Sequence, residues 1–325
     1  VQVLQASGAA NDNFGQSVAI DGDTMIVGVP RDLVGGNAAQ GSVEIHRWTG
    51  SGWTLEATLT AVGGAANDNF GVSVAIQGDT AIVGANLDDV STNADQGSAY
   101  VFTRSGTTWT QQAQLTAAGG AVSDQFGVAV AIAGDSVIVG ASLDDVGGTN
   151  NQGSAYVFTR SGTTWTQQTQ LTAAGGAASD QFGASVALSG DTAIIGARLD
   201  DVGSFVDQGA AYVFVRSGTT WTQQAQLLAT GGDIGDNFGS SVAVSGDTAI
   251  IGARGDDVGA NTDQGSAYIF TRSGTTWTQQ AQLNASGGAA SDQFGIAVAI
   301  SGQTVIVGAN RSDWGTSGNQ GSAFV

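Results

Sequence analysis

Apolar residues run along this chain in short bursts with the two-residue period of a β-strand. Phe70, Val72, Val74 and Ile76 alternate with Gly71, Ser73 and Ala75, which predicts a half-buried strand. Gln77-Gly78-Asp79-Thr80 follows, and its Gly-Asp centre suits a tight hairpin with positive φ. The second run is Ala81–Ala85. Polar and acidic residues from Asn86 to Gln96 make a loop. The third run, Ser98-Ala99-Tyr100-Val101-Phe102, is aromatic and β-branched, as strands prefer. After the turn Ser105–Thr108, Trp109–Leu115 places Thr and Gln on one face, as expected of an outer strand meeting water. No stretch has the pattern of a helix.

This four-strand pattern recurs. Phe-Gly stands at Phe14, Phe70, Phe126, Phe182, Phe238 and Phe294, a constant spacing of 56 residues (70 − 14 = 56). The units beginning at Phe70 and Phe126 share 44 of 56 positions. A strict period of this length marks a repeat architecture. Four antiparallel strands per unit predict an all-β, six-bladed β-propeller with strands A to D from the centre outward. A β-solenoid has much shorter coils, and a row of separate sandwiches fails because four strands cannot bury two faces alone. Val325 aligns with Ile45 inside strand C, and Val1 with Ala57 inside strand D. The expectation is therefore one domain over residues 1–325, closed by residues 1–6 as the fourth strand of blade six.

Composition narrows the chemistry. Cysteine and lysine are absent, His46 is the only histidine, and the formal net charge is −19. Disulfides, zinc–thiolate sites and thiol catalysis are excluded. So strong an acidity argues against nucleic acid as a partner, which requires a basic footprint. No apolar run reaches membrane-spanning length, so no membrane insertion is expected. The acids are nearly all aspartate, Glu44 and Glu56 being the exceptions.

The aspartates occupy fixed places. One precedes strand A in every unit (Asp12, Asp68, Asp124, Asp180, Asp236, Asp292). Pairs open the B–C loop (Asp88/Asp89, Asp144/Asp145, Asp200/Asp201, Asp256/Asp257), and Asp95, Asp207 and Asp263 end it. In a blade the B–C loop and the D–A linker share one face, so most carboxylates gather there. Two readings stand: each blade offers oxygen ligands to calcium, or the aspartates cap turns and meet solvent. The copies differ, since Leu33 and Ala39 replace two of these acids in the first unit, while Asn151 and Asn319 replace the last in two others.

The segments FG-x-SVA, GDTAIVGA and GSAYVF resemble the FG-GAP repeat of integrin α-subunit propellers and many bacterial surface proteins. The resemblance covers essentially the whole chain. It implies a secreted or cell-surface protein, bacterial in this case, whose B–C/D–A face contacts a protein or glycan ligand. The integrin relatives have seven blades against six here. Family members often hold calcium in a DxDxDG loop between strands A and B. That place holds only a short hairpin here, and even Asp21-Gly22-Asp23 is too short.

Other residues depart from the repeat. Phe205 is an apolar ring in an otherwise polar B–C loop, and Trp314 stands where other copies have valine; both are candidate ligand contacts. Trp53, Trp109, Trp165, Trp221 and Trp277 are expected to pack between blades rather than to stack sugars. His46 lacks recognisable catalytic partners and is expected to be an exposed substitution. Arg254-Gly255-Asp256 matches the integrin-recognition tripeptide, but drift from the repeat explains it. A non-catalytic binding or adhesion module is the leading expectation, since near-equal blades suit multivalent contact. A structural component of a surface layer or appendage is the alternative, in which the chain forms part of a larger assembly. A polysaccharide-acting hydrolase or lyase is the least favoured, because strand A opens with the same Phe-Gly in every unit.

Overall fold

The computed structural model describes residues 11–313 and 319–325. Among them every regular element is a β-strand. The second sheet is typical: strand A Ser73–Gln77, B Thr80–Ala85, C Ser98–Ser105 and D Thr108–Leu115. They pair antiparallel in the order A-B-C-D, as do the strands of the other four complete sheets. The sixth sheet shows three strands, Phe294–Ser301, Thr304–Ala309 and Ser322–Phe324. These are the six propeller blades that the repeat predicts, five of them four-stranded among the described residues; residues 1–6, expected to complete blade six, lie outside the described residues.

The chain forms two compact units, Val1–Asp144 with Tyr156–Gln170, and Asp145–Ala155 with Leu171–Val325. Within each unit, successive sheets lie closest at their A strands and splay apart towards their D strands. Apolar residues fill the wedge between sheets. In the first unit Ile26, Val43, Ile45 and Leu59 of blade one meet Phe70, Val83, Tyr100 and Phe102 of blade two. In the second, Ile194, Val213 and Leu227 of blade four meet Phe238, Ile251, Tyr268 and Phe270 of blade five.

Phe-Gly does something that strand alternation alone does not predict. Strand A is bulged after the phenylalanine: Phe126 pairs with Ala141, but the next partner of strand B, Gly140, faces Ala129. The bulge turns Phe126 into the core, edge-on to Tyr156 and Phe158 at 5.6 and 5.9 Å. It also swings the carbonyl of Gly127 (φ 95°) onto the neighbouring blade. There Ser73 Oγ donates to it at 2.7 Å. A Cβ on Gly84 of strand B would lie 2.0 Å from that oxygen. The glycine of Phe-Gly and the glycine of Gly-Ala are thus two halves of one joint between adjacent blades. Blades four and five repeat it through Ser185 Oγ and the Gly239 carbonyl at 2.8 Å.

Trp109, Trp165 and Trp277 also join blades, as expected, whereas Trp53 packs on Trp48 of its own blade. Trp109 Nε1 donates to Glu56 of the preceding sheet at 3.0 Å, and Trp277 Nε1 to Gln224 at 3.1 Å. Arg104 and Arg272 stack on these rings, 5.2 Å from the centroids, while also holding Asp79 and Asp247 of the A–B hairpins.

Candidate functional site: the B–C loops and D–A linkers

Within each unit the B–C loop of one blade is stitched to the linker leading into the next. Ser123 N–H donates to the Ala94 carbonyl at 2.9 Å and Phe126 N–H to the Gln96 carbonyl at 2.8 Å. Asn93 reinforces the seam, donating from Nδ2 to Gln96 Oε1 at 2.8 Å and to the Gly120 carbonyl at 3.0 Å. The A–B hairpins lie at the opposite end, where Gly78 N–H meets Asp21 of the preceding hairpin at 2.6 Å. Loops and linkers therefore form one face within each unit, as the strand order predicts.

The aspartate pairs divide into two kinds. Asp88, Asp144, Asp200 and Asp256 are buried, whereas Asp89, Asp145, Asp201 and Asp257 are exposed. The buried member is an internal acceptor. Asp88 Oδ2 receives Tyr100 Oη at 2.6 Å and Gln114 Nε2 at 3.1 Å. Asp144 and Asp256 do the same with Tyr156 and Gln170, and with Tyr268 and Gln282. Asp200 receives Tyr212 and Gln226. The exposed member closes the loop: Asp89, Asp145, Asp201 and Asp257 accept the backbone N–H of residues 95, 151, 207 and 263 at 2.7–2.9 Å. Asp95, Asp207 and Asp263 sit at φ 51–55°, a left-handed conformation that Asp and Asn tolerate better than other side chains.

The acid before strand A is also an internal acceptor. Asp68, Asp124, Asp180 and Asp236 take the N–H three residues earlier at 2.5–2.6 Å. Burial pushes Asp68, Asp180 and Asp236 up to about 6, opposed by that N–H bond and assisted by the nearby B–C carboxylates. Burial also raises Asp200. Tyr100, Tyr212 and Tyr268 are raised by burial and then by their aspartate partners. These carboxylates act as turn caps and buried acceptors. Among the described residues no three acidic or histidine side chains converge to hold a metal.

Other expectations sort clearly. Phe205 is 40 % exposed on the loop face, beside Val206 at 51 %. Trp314 lies outside the described residues. Asp256 of Arg254-Gly255-Asp256 is buried against Tyr268, so the tripeptide is not displayed. His46 corrects the expectation of an exposed residue. It is buried, and its Nε2 lies 2.9 Å from Glu44 Oε2. In the repeat frame Glu44 and His46 occupy the places of Tyr100 and Phe102, so a polar pair replaces two core rings in blade one.

The repeat frame also reveals residues that inspection of single loops overlooks. Arg198 and Arg254 stand where other copies have Pro30, Asn86, Ser142 and Asn310. Asp233-Ile234-Gly235 replaces the Ala-Ala-Ser of residues 177–179 and 289–291. Ile234 is 64 % exposed.

A family model described as FG-GAP repeat matches residues 1–44, 53–102, 109–158, 165–214, 221–270 and 277–325. No curated protein matches the chain. The six matches follow the six blades, and each spans the Phe-Gly bulge or the Gly-Ala strand that receives it. Both halves of the inter-blade joint thus lie inside the matched segments, and the chain belongs to the FG-GAP repeat family.

Proposed function

We propose that this chain is a non-catalytic binding or adhesion module, secreted or displayed on a cell surface, whose ligand contacts the face of B–C loops and D–A linkers. The observation that carries this reading is where the copies differ. Strands, hairpins and inter-blade joints are held nearly constant, while residues 91–95, 147–151, 203–207 and 259–263 vary on one shared scaffold. Variable loops on a rigid frame are how binding surfaces are diversified. The partner is a protein or a glycan; a net charge of −19 disfavours nucleic acid. No helix among the described residues is long and apolar enough to cross a membrane. The reading needs no calcium, because the loops are closed by their own hydrogen bonds.

Two surface variants test it in a screen of immobilised glycans and surface proteins. One replaces Asp89, Asp145, Asp201 and Asp257 by Asn, which keeps the loop-closing acceptor. The other replaces Thr107, Thr163, Thr219 and Thr275, in the C–D hairpins, by Lys. Capture should fall in the first variant and persist in the second. The reverse result assigns binding to the hairpin end, and release of sugar products from a polysaccharide would make the protein an enzyme.

A further inference from the structure

Several departures from the repeat cluster in space. They converge where blade four meets blade five, both within the second unit. Gly235 N–H donates to the Val206 carbonyl at 3.0 Å, which places Phe205 and Val206 beside Ile234. Gly255 N–H donates to the Asp236 carbonyl at 3.0 Å, and a Cβ on Gly255 would lie 2.2 Å from the Gly235 oxygen. Three other copies carry leucine at the Gly255 position (Leu87, Leu143, Leu199) and two carry arginine (Arg31, Arg311), so the changes at 235 and 255 touch. Arg198 is held by Gln181, with Nε and Nη2 donating to Oε1 at 2.9 and 2.6 Å. Arg254 Nε reaches Asn237 Oδ1 at 3.5 Å. Four segments, Arg198, Phe205-Val206, Asp233–Gly235 and Arg254-Gly255, have therefore diverged at one place.

The two arginines are half-buried, whereas Arg31 and Arg311, which also lack an aspartate partner among the described residues, are exposed. Arg47, Arg104, Arg160, Arg216 and Arg272 are paired with hairpin aspartates. Arg198 and Arg254 form no ion pair within 4.0 Å among the described residues and leave Nη groups with no acceptor. Burial lowers the pKa of Arg198, and the charge of Arg254 lowers it further against the opposing Asp207. Two half-buried guanidiniums that repel each other gain from an anion between them, and their planar forks match a carboxylate.

Phe205 carries a structural penalty as well. It occupies the place of Asn93 and Asn261, whose amides bond the following glutamine and the linker carbonyl. Phe205 cannot make those bonds, and Gln208 Oε1 is left buried without a partner. A substitution that orphans a buried acceptor and exposes a ring is unfavourable for folding and favourable for contact.

We infer that the blade four–five junction is a recognition site for a protein segment presenting one carboxylate beside an apolar side chain. The carboxylate would seat between Arg198 and Arg254, and the apolar group against Phe205, Val206 and Ile234. Aliphatic Val206 and Ile234 favour a peptide over a sugar ring. The exposed Asp201, Asp233 and Asp257 nearby repel a densely charged polyanion, so a single charge is the better fit. This rests on the binding-face reading above and assigns it a ligand class.

The test is a random dodecapeptide display on the full chain, with the enriched peptides resynthesised. Their affinities are compared for the native protein, R198N/R254N, F205N and the loop variant D89N/D145N. A uronate oligosaccharide runs in parallel. Asn is native at the arginine position in another copy, so R198N/R254N should fold, as circular dichroism and a thermal melt will verify. Enriched peptides should carry Asp, Glu or a free C-terminus next to an apolar residue. Their binding should weaken at least tenfold on R198N/R254N, or when the peptide carboxylate becomes an amide. F205N should weaken binding while raising the melting temperature. Peptides that bind R198N/R254N within twofold overturn the site. If those peptides lose affinity on D89N/D145N, the loop-face reading survives without this junction. Uronate binding without peptide binding overturns the ligand class, and no capture of either overturns both proposals.

Discussion

Gly84→Ala is the sharpest probe of the inter-blade joint. The new Cβ would lie 2.0 Å from the Gly127 carbonyl oxygen and 2.3 Å from Ser73 Oγ, against a floor of 3.0 Å for real Cβ contacts. Backbone on the facing blade must retreat by about 1 Å, and the 2.7 Å bond from Ser73 to Gly127 is lost. The lost bond costs about 1 kcal/mol. Overpacking in a close-packed wedge adds roughly 1–3 kcal/mol. Reduced freedom of the unfolded chain returns about 0.4–1 kcal/mol. The net expectation is a loss of about 2 kcal/mol. Ser73→Ala, which deletes the bond without crowding, should cost only about 1 kcal/mol. Equilibrium unfolding in urea measures both, with the m-value checked for constancy. If Gly84→Ala unfolds at the native midpoint, the joint does not hold adjacent blades together.

Other expectations follow from the same contacts. Asp68, Asp180 and Asp236 are raised to about 6 in the folded state from 3.8. The folded protein then binds protons more tightly than the unfolded chain between those values, so these sites lose stability as pH rises through that window. The melting temperature should be higher at pH 5 than at pH 7, and D68N/D180N/D236N should reduce that difference; an unchanged difference would place its origin elsewhere. F205N should restore the bonds to Gln208 and the linker seen at Asn93, stabilising the protein by about 1 kcal/mol in urea unfolding; destabilisation would mean that the ring contributes to the core. Melts in millimolar calcium and in chelator should coincide, because the carboxylates already accept internal bonds; a rise of several degrees with calcium would put metal into the loop face.

Much of the fold was legible because it is periodic. The constant distance between Phe-Gly pairs, the Gly-Asp hairpins and the aromatic third strand each reflect a local rule, and the rules agree six times. The role of Phe-Gly itself was hidden. Alternation placed Phe70 in line with Val72 and Val74, whereas the bulge turns the ring to the core and sends the glycine carbonyl to another blade. That is a non-local contact, encoded 43 residues away at Gly84 for Gly127 (127 − 84 = 43). The acids were located correctly but not divided, since only the tyrosine and glutamine of strands C and D distinguish Asp88 from Asp89. His46 looked exposed because it is polar; its partner two residues earlier makes burial tolerable. The arginine–aromatic cluster was visible only as separate deviations, because adjacency across two blades is a property of packing.

Hydrogen–deuterium exchange on the native chain, with and without a partner captured in the screen, tests the assignment of binding to the loop face most directly. The predicted footprint is added protection across 198–208, 230–237 and 254–264, with the hairpins at 78–79 and 106–107 unchanged. Protection confined to those hairpins would contradict it.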